Sequence, residues 1–388
     1  MRRRKRHDAA KDTVVTFDGA PKAGHIDFGV GQPSDDLLPL ELIHSACDRF
    51  FGSAQALELN YGELQGDVRF LGSLSDLLTN EYGHPAPAES LFVTAGNSHA
   101  LDFVCSRFTR PGDTVFVEEP SYFLAFQIFR DHGLRIVGIP MDVHGMDIDR
   151  LERELERHRP ALVYTIPSFH NPTGRTLSAE RRERLVELSR RHDFMIAADE
   201  VYQLLYFGDP PPPALGTYAD RGNVLSLGSF SKILAPGMRL GWIQTAPRHM
   251  RTLLSSGTVN SGGSFNHFAS HIVRHAMNDG LLVDFMRHLR KVYASRARAM
   301  DRALREQIGS LAEWQGPDGG YFFWLKLSAD VDATLVRERA DSARTGFQPG
   351  TVFSSRGELR NCLRLSFAHY GEADIEEGVG RLAKLLTA

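Results

Sequence analysis

Cysteine is scarce. Cys47, Cys105 and Cys362 are odd in number, far apart and in no Cys-x-x-Cys arrangement. This argues against a disulfide framework or a cysteine zinc site and for a reducing compartment, the cytoplasm. Long apolar runs are missing too: no stretch of about 18 such residues could span a bilayer. The segment Met1 to His7 is strongly basic, but no apolar segment follows it as in a secretory signal. Residues 1–25 read as a disordered basic tail with an extended piece at Thr13–Phe17. Charge of one sign does not dominate either. A net charge of −3 with 24% charged residues describes a globular chain that calls for neither nucleic acid nor membrane as partner.

The most informative shortage is lysine. Lys5, Lys11, Lys22, Lys232, Lys291, Lys326 and Lys384 are all there are among 45 Lys+Arg, so basic surface positions are filled with arginine. Lys232 stands alone between positions 22 and 291. An amine loses its proton when buried and then attacks a carbonyl to form a Schiff base; a guanidinium effectively cannot deprotonate. A surface lysine is the neutral alternative, and the neighbours Ser229, Ser231 and Arg239 bear on the choice.

What is present is a rhythm. Short apolar, β-branched runs fall at Leu91–Thr94, Thr114–Glu118, Arg135–Ile139, Ala161–Ile166, Phe194–Ala198, Asn223–Leu227 and Leu240–Gln244. Helical spacing occurs between most of them, at Ser98–Phe108, Tyr122–His132, Leu151–Arg157 and Ala179–His192, the last with Ser178 as N-cap. Nearly all-apolar strands alternating with helices predict an α/β fold, a mainly parallel seven-stranded sheet covered on both faces. Two further helices, Pro39–Phe51 and Asp67–Tyr82, precede it. After residue 268 a charged helix (Phe285–Gln307), a Gly319-Gly320-Tyr321-Phe322-Phe323-Trp324-Leu325 run and a strand at Leu363–Phe367 predict a smaller α+β domain. The expected division is an N-terminal segment, 26–44, packing with the small domain, a large domain, 45–267, and a small domain, 268–388.

Ligands in parallel α/β sheets bind at the carboxyl ends of strands. The first strand ends in Ala95-Gly96-Asn97-Ser98-His99 and runs into a helix, whose free N–H groups attract an anion such as phosphate. Others end in His170-Asn171-Pro172-Thr173-Gly174, which on its own reads as a turn, and in Asp199-Glu200-Val201-Tyr202. Asp199 is either a helix N-cap or a buried, paired carboxylate, and residues at i and i+3 face one ligand. Lys232 and Arg239 follow. Arg364, between Leu363 and Leu365, reads either as a solvent-face residue or as part of the site.

Together these motifs resemble the fold-type I, pyridoxal 5′-phosphate (PLP)-dependent aminotransferases of class I/II, within them the 2-aminoadipate-type enzymes and the aminotransferase-like halves of MocR regulators. The marks are Asn171-Pro172-Thr173-Gly174, Asp199-x-x-Tyr202, Ser229-x-Ser231-Lys232 and Arg239, in that order, and the match covers about residues 26–386. The resemblance implies that Lys232 forms the internal aldimine and then moves a proton between Cα and the cofactor. Asp199 would pair with the pyridinium N–H, Tyr202 and Asn171 would bond the phenolate oxygen, and Tyr122 would stack on the ring. Arg239, Ser229, Asn97, Ser98 and the His99 position would hold the phosphate. Arg364 would grip the substrate α-carboxylate, with Asn171 and Gly31 beside it, and Tyr61 would reach the neighbouring subunit's phosphate, which implies a homodimer with shared sites. Two places depart from the pattern: His99 stands where a small or amide residue is more usual, and Ser261-Gly262-Gly263-Ser264 is unusually glycine-rich for a segment bordering the partner's site.

The implied activity is transfer of an amino group from an L-amino acid to a 2-oxo acid through pyridoxamine phosphate. The alternative on the same fold is a lyase, an oxidase or a carbon–carbon bond-forming enzyme. A ligand-sensing regulator is the reading from another class; the roughly 25 residues before the matched region are too few for the winged helix-turn-helix such regulators carry.

Overall fold

The structure is a computed structural model that describes residues 22–387. The basic run Met1–His7 and the Thr13–Phe17 piece lie outside the described residues. Residues 22–25, expected as the end of the tail, form a turn in which the Lys22 amine meets Asp341 at 3.0 Å.

The main sheet has eight strands. In spatial order they are Leu91–Thr94, Gly241–Thr245, Val224–Ser229, Met195–Asp199, Pro160–Thr165, Thr114–Glu119, Arg135–Asp142 and Gly145–Met146. The five from Val224–Ser229 to Arg135–Asp142 pair in parallel, whereas Gly241–Thr245 is antiparallel to both its neighbours. All seven expected strands are there, with ends shifted by a few residues. The eighth, Gly145–Met146, turns back on its predecessor and is too short to leave an apolar run in the sequence.

Alternate residues of each strand go to opposite faces. Val115, Val117, Leu225 and Leu227 join one core with the helices Val68–Tyr82 and Asn97–Phe108, while Phe116, Val163, Ile196 and Val224 join another with Ile148–Leu155 and Ala179–His192. Burial on both faces explains why these strands read as continuous apolar runs. Caps fix the helix starts. Ser178 accepts from the Arg181 N–H, Asp67 from the Phe70 N–H, and Asp147 from the Arg150 N–H, so the helix expected from Leu151 begins at Ile148.

A second, antiparallel sheet follows in the order Ala312–Glu313, Phe322–Leu327, Cys362–Ser366, Gln348–Pro349. The helix Leu281–Gln307 packs on the final helix Glu372–Thr387 beside it. Ile26–Asp27 pairs in parallel with Thr345–Gly346, tying the start of the described chain to this part. Tyr321, Leu363 and Phe28 belong to the same apolar cluster as Leu225, so one interior runs beneath both sheets. Among the described residues no helix is long and apolar enough to cross a membrane.

One buried arginine ties the sheet to its loops. Arg182 has no exposed surface and donates to the carbonyls of Leu177 (3.0 Å), Pro213 (2.9 Å) and Pro167 (2.8 Å) and to the Ser168 hydroxyl (2.7 Å). Glu200, 3.9 Å away, accepts from the Leu215 N–H at 2.7 Å and from the Ser226 hydroxyl. Arg182→Leu leaves a buried carboxylate without its cation and several carbonyls without donors. We expect it to cost about 3–5 kcal/mol in urea unfolding at neutral pH; a loss below about 1 kcal/mol, the scale of a surface ion pair, would contradict this.

Candidate active site

The strand ends converge. Leu91–Thr94 leads through Gly96, at φ 86°, into the helix Asn97–Phe108. A Cβ on Gly96 would lie 2.9 Å from a guanidinium nitrogen of Arg239, so glycine is what lets the arginine lie across the helix N-terminus. Arg239 itself has φ 45° and follows the short 3-10 turn Pro236–Met238, which folds the chain back from Lys232. Ser229 Oγ accepts from the Ser231 N–H at 3.1 Å and donates toward Ser231 Oγ at 3.0 Å. Free helix N–H groups, a guanidinium and two hydroxyls therefore share one corner, an arrangement whose chemistry suits an anion such as phosphate. His99 is placed otherwise than its expected phosphate role suggests. Its Nδ1 accepts from the Ala95 N–H at 3.2 Å and its ring packs on Phe103 and Phe265, so it shapes the turn from beneath.

Asp199 is the last residue of its strand and is buried. Oδ2 accepts from the Tyr164 hydroxyl at 2.8 Å, while Oδ1 has no hydrogen-bond partner among the described residues. The Val201 N–H and the Asn97 amide lie near enough to favour the charged form without making a well-formed bond to Oδ1. Burial dominates and pushes the carboxyl up to about 6, against the pull of Tyr164 and Lys232. A buried oxygen without a donor is costly, and a ring N–H arriving from a ligand would satisfy it.

The Lys232 amine donates to the Gly31 carbonyl at 3.1 Å and sits 5.1 Å over the Tyr321 ring. Burial, helped by the Arg364 charge and opposed by Asp199, lowers its pKa to about 8, so a neutral, nucleophilic fraction exists near neutral pH. Tyr122 lies among the charges of Asp199, Arg364 and Arg239, and burial pushes its hydroxyl up to about 12. Tyr202, also buried and held neutral, sets its ring against Tyr321 and Phe322.

Arg364 is inside, not on a solvent face. Its strand Cys362–Ser366 is buried on both sides, and its guanidinium carbon lies 4.2 Å from the Phe322 ring centre and 5.0 Å from that of Phe353. Nη1 donates to Asn171 Oδ1 at 3.0 Å and Nη2 to the Gly29 carbonyl at 2.8 Å, while Nε has no partner. Of five N–H donors, then, three remain for a carboxylate. A Cβ on Gly31 would lie 3.7 Å from Nη2, so a side chain there would narrow the approach.

Tyr61, like His99, departs from its expected place. It is 82% exposed and is not part of this chain's own cluster. The glycine-rich departure has a physical reason: a Cβ on Gly263 would collide with the Gly62 carbonyl, so the two segments touch backbone to backbone. Sequence reading missed Tyr164, which orients Asp199, and Phe353, which packs on Arg364. Tyr164 sits in a strand that read only as core, and Phe353 in a stretch without a motif. Tyr321 and Phe322 lay in the Gly-Gly-Tyr-Phe-Phe-Trp run, whose two glycines before an aromatic series were the available signal.

Known proteins resemble this chain over nearly its whole length. The family model for aminotransferase class I and II matches residues 23–382. An aromatic-amino-acid aminotransferase from Thermococcus litoralis is 34% identical over 93% of this chain and 88% of its own length. A 2-aminoadipate transaminase from Thermus thermophilus is 31% identical, covering 94% and 91%. The crystal structure of the Thermus thermophilus α-aminoadipate aminotransferase LysN, complexed with N-(5′-phosphopyridoxyl)-L-leucine, superposes with a TM-score of 0.85 at 31% identity, covering 94% of this chain and 92% of that one. The chain belongs to the class I and II aminotransferases. It is a PLP-dependent enzyme of amino-group transfer, and the comparisons do not favour the lyase, oxidase or carbon–carbon bond-forming alternative.

The buried carboxyl makes a pH prediction for the cofactor-free protein. A folded-state pKa of about 6 against an ordinary 3.8 means the folded chain binds the Asp199 proton more tightly than the unfolded chain. Its contribution is then present below about pH 4 and is lost as pH rises through about 6. Without cofactor, Asp199→Asn should be more stable than wild type by roughly 3 kcal/mol at pH 7.5, with the gap closing by pH 4. Thermal unfolding across this range checks it, and a gap that does not change with pH would refute the assignment.

Proposed function

We propose that the chain moves the amino group of an L-α-amino acid to a 2-oxo acid as a homodimer with shared active sites, in the cytoplasm. The observation that carries the reading is the pairing of a half-buried, partly neutral Lys232 amine with the spare donors of buried Arg364. Bound PLP supplies a carbon that reacts with amines and a cationic ring that takes up the electron pair left at Cα. Asp199 Oδ1 would hold the ring nitrogen's proton. Asn171 and Tyr202 would bond the ring oxygen, Tyr122 would cover the ring face, and Arg239, Ser229, Asn97 and Ser98 would hold the phosphate. Arg364 would bind the α-carboxylate bidentately, with Asn171 and Gly31 beside it. Lys232 would hold the cofactor covalently and, once freed, carry a proton to or from Cα.

Support for the dimer is the set of exposed apolar side chains Leu40, Phe51, Leu57, Leu59, Tyr61 and Phe268, of which Phe51 and Phe268 lie ring to ring. Apolar patches of this kind mark interaction surfaces. The two sheets support reading 45–267 and 268–388 as a large and a small domain with 26–44 packed on the latter.

The holoenzyme should be yellow, with a visible band that Lys232→Ala abolishes or shifts. A panel of L-amino acids should convert the bound cofactor to its amine form, and a 2-oxo acid should restore it. A wild type that stays colourless with added PLP, or that releases ammonia or peroxide without an acceptor, would overturn the reading.

A further inference from the structure

The strand Thr114–Glu119 ends in two consecutive glutamates, buried and remote in sequence from Arg364, and neither has a role in the reading above. Successive residues of a strand point to opposite sides. Glu118 faces the turn that carries Asn171; Glu119 faces the segment that carries Phe353.

Glu118 is fully buried. Its Oε1 accepts from the Thr165 hydroxyl at 2.6 Å and its Oε2 from the Ile166 N–H at 2.8 Å. The His170 ring nitrogen Nε2 lies 3.0 Å from Oε2, in contact but outside straight hydrogen-bond geometry. His170 Nδ1 lies 2.9 Å from Thr173 Oγ1 and 3.3 Å from the Thr173 N–H nitrogen, which fixes the ring with Nε2 on the Glu118 side. The next residue is Asn171, whose Oδ1 takes a hydrogen bond from Arg364.

Glu119 Oε2 accepts from both the N–H (3.1 Å) and the hydroxyl (2.5 Å) of Ser355, and Oε1 has no partner. A Cβ on Gly138, one strand over, would collide with the Glu119 carboxylate and the Ser355 hydroxyl, so the contact depends on glycine there. Two residues on, the Ser121 N–H donates to the Phe353 carbonyl at 2.9 Å. The Phe353 ring packs on Arg364.

We propose that Glu118 and Glu119 are paired positioning residues that brace Arg364 from two sides, Glu118 through His170 and Asn171, Glu119 through Ser355 and Phe353. The proposal rests on the reading of Arg364 as the α-carboxylate anchor. It predicts an asymmetry. An amide offers one acceptor oxygen where a carboxylate offers two. Both Glu118 oxygens already accept, so in Glu118→Gln the amide oxygen keeps the Ile166 N–H only by turning its NH2 onto Thr165 Oγ1, which leaves the Thr165 O–H without its acceptor. Glu119 uses one oxygen, so Glu119→Gln keeps its bonds to Ser355.

The experiment uses the holoenzymes and follows the absorbance of the bound cofactor against rising concentration of an amino acid that converts wild type. Glu118→Gln should raise the half-saturating concentration by about tenfold, a loss near 1.4 kcal/mol, and change the limiting rate by less than about threefold. Glu119→Gln should stay within about twofold of wild type while Glu119→Ala behaves like Glu118→Gln. With n-butylamine, which has no carboxylate, the half-saturating concentration should be the same in every variant. His170→Gln replaces Glu118→Gln if the latter does not fold. Unchanged amino-acid saturation in Glu118→Gln and Glu119→Ala, or equal losses for amino acid and amine, would overturn the proposal. If wild type converts no amino acid, the aminotransferase reading fails first. The bracing is then read from crystal structures, where Asn171 should leave Arg364 in the Glu118 or His170 variant; an unmoved Asn171–Arg364 contact would overturn the bracing.

Discussion

A carboxylate with one oxygen bonded and the other left over is the constraint on which this structure depends. Asp199 sits at the end of a central strand, held by the Tyr164 hydroxyl through Oδ2, with Oδ1 buried and without a donor. An isolated buried charge is costly, so the site is built to receive a partner for it. The neighbours follow the same logic. The Lys232 amine is drained of proton affinity by burial, and Arg364 is buried with donors to spare. Each group is uncomfortable alone and complementary to a cofactor with a cationic ring nitrogen, a carbonyl carbon and, beyond it, an amino-acid carboxylate.

The sheet supplies the placement. Three strand ends, at Thr94, Asp199 and Ser229, bring the phosphate corner, the carboxylate and the approach to Lys232 together without any of these residues choosing its own position. The second sheet adds Arg364 and the aromatic rings around it, and the shared apolar interior keeps the two parts in register. Glu118 and Glu119 extend this pattern, since the end of their strand contacts both segments that carry neighbours of Arg364, Asn171 and Phe353.

How much of this could be read from the sequence depended on range. The seven long strands were legible because parallel strands buried on both faces leave continuous apolar runs, and Gly145–Met146 was not because two residues leave none. Lys232 stood out because arginine fills other basic positions, and Arg239 because a tight turn keeps it within a few residues of the lysine. Whether Arg364 was a surface residue stayed open on its flanking leucines alone. It was decided by Phe322 and Phe353, which come from other segments. Tyr164 inside an apolar strand and His170 in a turn look like ordinary core. Their roles appear only when Asp199 and Glu118, distant in sequence, come within hydrogen-bond or contact distance. Tyr61 was expected at a site only through the family resemblance, and in this chain it is exposed and apart from the cluster.

The central claim is that Asp199 exists to keep a proton on the cofactor's ring nitrogen. Loading the enzyme with PLP labelled with nitrogen-15 at the ring and recording its NMR shift near neutral pH tests it directly. The account predicts a protonated ring nitrogen in wild type and an unprotonated one in Asp199→Ala. An unprotonated nitrogen in wild type, or the same shift in both proteins, would contradict it.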